Sequence, residues 1–214
     1  MVTTGERKRG RPPTLNRALI VAAAHAQLDE GGVQNFSMRS LAARLGVTPM
    51  AVYRHAGDRE HLLSLVLDDV SAPFPDIELP ADPRARIATL IHTVFDALVS
   101  RQWIAEVLRA GGPGGAGAFW LVDQILVAAQ ELGLSADEAL ALYRALWSYT
   151  LGCVLTGATA MNQPAATAGT ERKVNALGPG QFPHLAAALR ATAAIDHRDA
   201  YCRGVGYLID GFGR

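Results

Sequence analysis

Between Gly31 and Asp58 the chain is punctuated at intervals that leave room only for short helices: Gly31-Gly32, Ser37, Gly46, Thr48-Pro49 and Gly57-Asp58. Glycine just past an apolar run ends a helix in a left-handed turn. Serine, threonine or aspartate just before one caps its free N–H groups, and proline suits the first helical position because its missing N–H would be unpaired there anyway. The spacing predicts a helix capped by Thr14 and running to about Glu30, with Leu19, Ile20, Ala23 and Leu28 on one side. A second runs from Ser37 to Leu45, a third follows Thr48, and a fourth runs from Arg59 to about Val70.

The rest reads the same way. Ala, Leu, Arg and Glu favour helix, and β-branched and aromatic runs are sparse, so the fold class is all-α. "SAPFPDIELPADP" packs four prolines into 13 residues and marks a domain joint. Further helices are predicted over 83–100, 103–109, 118–132, 136–161, 183–193 and 196–212. "GGPGGAG" at 111–117 reads as a loop, and the absence of a following Gly-Lys-Ser/Thr argues against a phosphate cradle. The polar stretch 162–181 reads as a mobile loop. The organisation expected is a basic arm over 1–13, a three-helix helix-turn-helix domain over 14–70, and a larger helical body over 71–214, nine to ten helices in all. With no apolar run of bilayer length and no signal-peptide pattern, the expected compartment is the cytoplasm and no membrane partner is expected. Cys153 and Cys202 have no metal-ligand spacing and fit a reducing compartment, so neither a metal nor a cofactor is expected.

Net charge is zero but unevenly spread. Residues 1–60 hold nine Lys or Arg against five Asp or Glu, and the remainder holds eleven against fifteen. A basic head on an acidic body is the footprint of a chain whose head alone meets a polyanion. The spacing within the head agrees. Gly46 supplies a tight turn, Ala42 permits close helix approach, and Leu41, Leu45, Val47 and Val52 fall where inward residues are needed, which is the helix-turn-helix pattern. The first turn of the third helix would then face a major groove. Arg39 suits a guanine edge or a phosphate. Thr48, the free N–H groups after Pro49, and Ser37 at the neighbouring cap suit phosphate oxygens. Met50 and Ala51 offer apolar contact to thymine methyls. Tyr53, Arg54, His55 and Arg59 suit the DNA backbone. In "RKRGRPP", Arg9 and Arg11 flank a glycine and suit a narrow minor groove as well as they suit a merely solvated basic tail.

In the body, Tyr201, Val205, Leu208, Ile209 and Phe212 recur as one apolar stripe. Helix 136–161 is apolar almost all round, with Gly152 leaving room for a neighbour. Together with Leu151 and Val154 these predict a homodimer interface of two helices from each chain. The aromatic and polar residues of the middle helices, His92, Phe95, Trp103, Phe119, Trp120, Asp123, Trp147 and Thr150, are candidates for lining a small-molecule pocket.

The head resembles the TetR family of bacterial transcriptional repressors, over the basic arm and "ALIVAAAHAQLDEGGVQNFSMRSLAARLGVTPMAVYRHAGDREHLL". "ALWSYTLGCVLTG", "FPHLAAAL" and "YCRGVGYLIDGF" are similar, more weakly, to helices of that family's tetracycline-repressor-like C-terminal group. The resemblance implies a homodimer that reads a double-stranded DNA operator, holds a small-molecule effector in its body, and represses until the effector binds. It also implies that Arg39, Thr48, Pro49, Met50, Ala51, Tyr53, His55 and Arg59 face DNA. Gly57-Asp58 stands where many members carry a lysine, so one phosphate contact is absent. Two other functions stay open on the residues alone: a DNA-binding regulator or activator without ligand control, and an all-helical enzyme. Against the enzyme, the sequence carries no nucleophile–base arrangement, paired carboxylates or metal motif.

Overall fold

A computed structural model describes residues 15–110, 115–161, 169, 172–174, 176, 180–192 and 197–212. Among them there are ten α-helices and no strand. In chain order they are α1 (Arg17–Gly31), α2 (Met38–Leu45), α3 (Pro49–Ala56), α4 (Arg59–Ser71), α5 (Pro83–Ser100), α6 (Gln102–Arg109), α7 (Ala116–Glu131), α8 (Ala136–Met161), α9 (Pro183–Thr192) and α10 (His197–Gly211). Two compact units divide between Leu62 and Leu63, inside α4 and ahead of the proline-rich joint expected near residue 71.

The first unit is set by its caps. Asn16, not Thr14, starts α1, its side chain accepting from the Leu19 N–H at 2.9 Å. Ser37 and Ser40 form a reciprocal capping box on α2. Gly46 takes φ +67° and ends α2 with the Val47 N–H on the Ala42 carbonyl and the Gly46 N–H on the Ala43 carbonyl. Two residues later Thr48, with Pro49 behind it, restarts the chain as α3. α1 buries Ile20, Val21, Ala24 and Leu28, a face turned slightly from the expected one, with Leu19 and Ala23 only half-buried. Leu41, Ala42 and Val52 are fully buried where α2 and α3 meet, whereas Leu45 and Val47 are half-buried.

In the second unit α5 is central and packs on α6, α7, α8 and α10. It buries Ile87, Leu90, Ile91, Phe95 and Leu98. Tyr201 of α10 is the largest fully buried side chain; it stacks on Phe95 at 3.9 Å between ring centroids. Its hydroxyl lies 2.8 Å from Thr150 Oγ1 and 3.2 Å from the Ile91 carbonyl, while the Thr150 hydroxyl also lies 2.7 Å from the Leu146 carbonyl. Burial pushes the Tyr201 phenol well above its ordinary range, so it stays a neutral donor. Arg198–Asp96 and Arg84–Asp210 ion pairs, each at 2.8 Å, also tie α10 to α5.

The stripe expected at a dimer interface is in large part buried inside this chain. Tyr201, Val205 and Ile209 of α10 and Val154 of α8 are buried within this chain. They are spent on the α5–α8–α10 core, because a four-residue repeat keeps 201, 205 and 209 on the face that meets α5 and α8. Leu151 and Leu208 are half-buried, Phe212 is exposed, and Tyr207 stands 76% exposed on the other face of α10. Cys153 and Cys202 are half-buried free thiols. The described part of 162–181 includes a helical turn at 172–174 with Val174 buried; the rest of the expected mobile loop lies outside the described residues, as does the arm 1–13.

The glycine-rich loop read at 111–117 gives its last residues to packing. α7 starts at Ala116, two residues early, and lies against the end of α4. A Cβ on Gly115 would sit 2.5 Å from the Leu67 carbonyl oxygen, and one on Gly117 would overlap that of Ser71. The Asp68 carboxylate accepts the Ala116 N–H at 2.7 Å and so caps α7. Gly117→Ala should therefore destabilise the protein by about 1–3 kcal/mol despite alanine's better helix propensity. Thermal or urea unfolding measures this, and an unchanged or raised midpoint would show that the contact is looser.

Candidate functional site

The head presents one polar, exposed face. Thr48 caps α3, its hydroxyl accepting from the Ala51 N–H at 3.3 Å. Pro49 is exposed, Met50 is 75% exposed, Ala51 is half-buried and Tyr53 is 46% exposed, so the first turn and a half of α3 projects outward. A methionine that exposed, in a helix whose Val52 and Ala56 are buried, has no role in the head's own core.

The arginines of the head sort themselves. Arg44 forms a bidentate pair with Glu30, at 2.5 and 2.7 Å, which draws the Glu30 carboxyl below its usual range. Arg17 donates to the His55 carbonyl at 3.4 Å, and the Arg59 guanidinium lies 5.7 Å from the Phe36 ring centroid. Arg39 and Arg54 are exposed and make no hydrogen bond or ion pair among the described residues. Ser37 is exposed beside Arg39, its hydroxyl engaged with Ser40. His55 is half-buried at the end of α3. Gly57 takes φ +68° to end α3, and Asp58 then caps α4 through the His61 N–H at 2.8 Å. The result is two unpaired guanidinium groups, a hydroxyl-capped helix N-terminus and a phenol on one small unit. That is chemistry for gripping phosphates and base edges. Arg9 and Arg11 lie outside the described residues.

The second unit holds a cavity of about 280 Å3. Its wall comes from the end of α4 (Leu67, Val70, Ser71), from Phe74 just after it, from α5 (Ile91, Val94, Ala97, Leu98), from α6, from the start of α7, and from Tyr143 and Trp147 of α8. Of the eight residues expected in a pocket, Phe119 and Trp147 line it; the other six do not. His92 and Phe95 face Tyr201, with ring centroids 5.7 and 3.9 Å away, because α5 turns 91, 94 and 98 to the cavity and 92 and 95 to α10. Thr150 is fully buried on the Tyr201 hydroxyl. Trp103 is buried on α6, Trp120 is half-buried, and Asp123 is exposed on α7. The sequence reading missed Ser71 and Tyr143. Tyr143 stands one helical turn before Trp147, a spacing that could have drawn attention to it. Ser71 sits in what read as a linker and carried no signal. Phe119, 66% exposed, stands at the cavity's rim.

A short-turned helix pair with an outward α3 in one unit, and an apolar cavity within the other, together fit a nucleic-acid-reading regulator with an internal binding space. Comparison with known proteins gives the family. Residues 20–66 match the model of bacterial regulatory proteins of the tetR family, and residues 77–214 match that of the tetracyclin repressor-like C-terminal domain. The chain belongs to the TetR family of DNA-binding transcriptional regulators. It is 26% identical over 223 residues to the HTH-type transcriptional repressor DrrR1 of Streptomyces coeruleorubidus, covering 97% of this chain and 81% of the relative. It is 26% identical over 200 residues to the tetracycline repressor protein class D of Escherichia coli, covering 92% and 89%. Its fold is that of the Streptomyces coelicolor TetR family protein ActR, solved in complex with actinorhodin, with a TM-score of 0.80 at 20% identity over 92% of this chain and 96% of that one. No helix among the described residues is long and apolar enough to cross a membrane.

His92 offers a pH test of this geometry. Its Nε2 is buried with no hydrogen-bond partner among the described residues. Burial first, and the Arg198 charge second, hold its pKa below the ordinary value, with Asp96 opposing. In the unfolded chain a histidine titrates near pH ~6.5. As pH falls below that value, the unfolded chain takes up a proton that the folded chain declines, and unfolding is favoured. Wild-type stability should therefore drop from pH 7 towards pH 5 more steeply than that of His92→Gln, read as midpoint against pH. Parallel curves would show that His92 titrates freely when folded.

Proposed function

We propose that the chain is a homodimeric repressor, and not an enzyme, that holds a palindromic operator through α3 of each protomer and lets go when a small, largely apolar effector fills the body cavity. The observation that carries this reading is the combination of an outward α3 flanked by unpaired Arg39 and Arg54 with an apolar cavity whose wall includes the end of α4. Arg39, Met50 and Ala51 would read base edges. Ser37, Thr48, Pro49 at the α3 N-terminus, Tyr53, Arg54, His55 and Arg59 would hold the backbone, with Arg9 and Arg11 of the arm adding affinity. Dimerisation would use the outward faces of α8 and α10, through Leu151, Tyr207, Leu208 and Phe212. The reading is supported by what the relatives are: one is a transcriptional repressor and another a tetracycline repressor, while ActR is seen with a small molecule.

The release mechanism is a population shift. α4 is one unbroken helix from Arg59 to Ser71, and Leu67, Val70 and Ser71 line the cavity. An effector that fits better around one position of these residues favours that position, and α4 carries the change towards α3. The cytoplasm, where the operator is, would be its compartment. A regulator without ligand control is the second reading; the apolar cavity beside the end of α4 favours the first.

Selection from a random double-stranded DNA pool, followed by anisotropy against salt, tests the DNA half. A palindromic winner with a steep salt slope is expected. Arg39→Ala should cost about 1–3 kcal/mol on the winner and relax preference at the base it reads. Tyr53→Phe should weaken all sequences alike. Wild-type binding by both variants would remove α3 from the interface.

A further inference from the structure

We infer that the effector is an uncharged, flat, mostly apolar molecule that presents a hydrogen-bond acceptor, such as a ketone or quinone oxygen, to Tyr143 and Trp147. The inference rests on the reading of the cavity as the effector site and specifies its chemistry.

Three observations carry it. First, among the described residues that line the cavity none is Asp, Glu, Lys, Arg or His. A carboxylate or ammonium ion entering it would lose its hydration with no counter-charge in return, a penalty of several kcal/mol or more. The same wall lacks the imidazole and carboxylate ligands that would fix a metal chelate, and the described residues hold no cluster of three or more such groups. Second, the polar side chains that are present can all donate, and the Trp147 indole can do nothing else. Tyr143 and Trp147 stand one turn apart on α8, so both fall on the helix face that meets the cavity. Neither the phenol nor the indole N–H makes a hydrogen bond among the described residues. Burial raises the Tyr143 phenol above its ordinary range, so it keeps its proton. Both side chains are half-buried at the cavity wall, so their donors are open to an acceptor that enters it. The remaining polar wall residue, Ser71, already donates its hydroxyl to the Asp68 carbonyl at 3.3 Å. Third, the cavity is small, about 280 Å3, at the lower end of ligand pockets, and four aromatic side chains, Phe74, Phe119, Tyr143 and Trp147, line it. A flat molecule fills such a space against ring faces with the least lost contact.

Three compounds of nearly identical shape separate the possibilities: 2-acetylnaphthalene, with a carbonyl acceptor; 2-isopropylnaphthalene, with none; and 2-naphthoate, which is charged. Isothermal calorimetry on the full chain should rank the ketone first. It should bind about three- to tenfold tighter than the hydrocarbon, the gain expected of one or two neutral hydrogen bonds, with the anion weakest. Tyr143→Phe and Trp147→Phe should each shrink the ketone's advantage while leaving the hydrocarbon's affinity within about twofold, with circular dichroism confirming that both variants fold. Val94→Trp, which fills the cavity from α5, should abolish binding of all three. Equal binding of ketone and hydrocarbon, or an advantage that survives both variants, would overturn the acceptor assignment while leaving the cavity as a binding site. Tighter binding of the anion would overturn the uncharged class. Saturable binding of none of the three, in protein that still binds its selected operator, would overturn both this inference and the reading of the cavity as the effector site.

Discussion

The body is organised around a contact to which α7 brings only backbone. Gly115 and Gly117 bring the start of α7 against the backbone of α4 at Leu67 and Ser71, and Asp68 caps α7 from the α4 side. Such an approach leaves no room for a methyl group, and close-packed interiors do not yield that room cheaply. It also determines where the cavity lies. Immediately after the glycines come Ala118 and Phe119, and there the two helices enclose space instead of filling it. The end of α4 is thus held by the seam and faces the cavity at once. The proposed release mechanism uses this placement, since the same helix begins at the Asp58 cap that follows α3 in the chain.

A second constraint keeps the cavity from collapsing. α5 is surrounded by α6, α7, α8 and α10 and divides its faces between them. On the α10 side Phe95 stacks on Tyr201, whose hydroxyl is satisfied by Thr150 and the Ile91 carbonyl. A buried phenol with its hydrogen bonds met fixes helix position more sharply than an aliphatic side chain does, because an unmet donor there would cost about 1–3 kcal/mol. The other face of α5 is left to Ile91, Val94 and Leu98, which border the cavity.

These two arrangements explain what could be read in advance and what could not. The first unit was legible nearly residue by residue because its boundaries are local. Ser37, Gly46, Thr48-Pro49 and Gly57-Asp58 each act within one helical turn, and the structure uses every one as a cap or a stop. At the start of α1 the cap is Asn16, a stronger capping residue than the expected Thr14, which lies outside the described residues. In the body the helices were legible but the destinations of their side chains were not. Tyr201, Val205 and Ile209 form the apolar stripe that periodicity indicates, yet periodicity does not say whether a stripe meets its own chain or another. His92, Phe95 and Thr150 have the chemistry of pocket residues and serve the Tyr201 core instead. The glycine-rich stretch looked like a loop because a close approach between distant helices leaves no mark on either one alone.

The sequence by itself determined the helical class, the helix-turn-helix head, its basic charge and the chemistry exposed on α3, because caps, turns and charge act over a few residues and need no partner to be recognised. Only the tertiary structure decided which arginines of the head are left unpaired, which aromatic residues border a cavity and which fill the core, and how α4 is tied to α7. Each of these depends on which helix lies opposite, over separations such as the 48 residues between Asp68 and Ala116 and the 110 between Ile91 and Tyr201. At that range the outcome is set by which faces can be packed and hydrogen-bonded together at once, a competition among all the helices that no single stretch of sequence records.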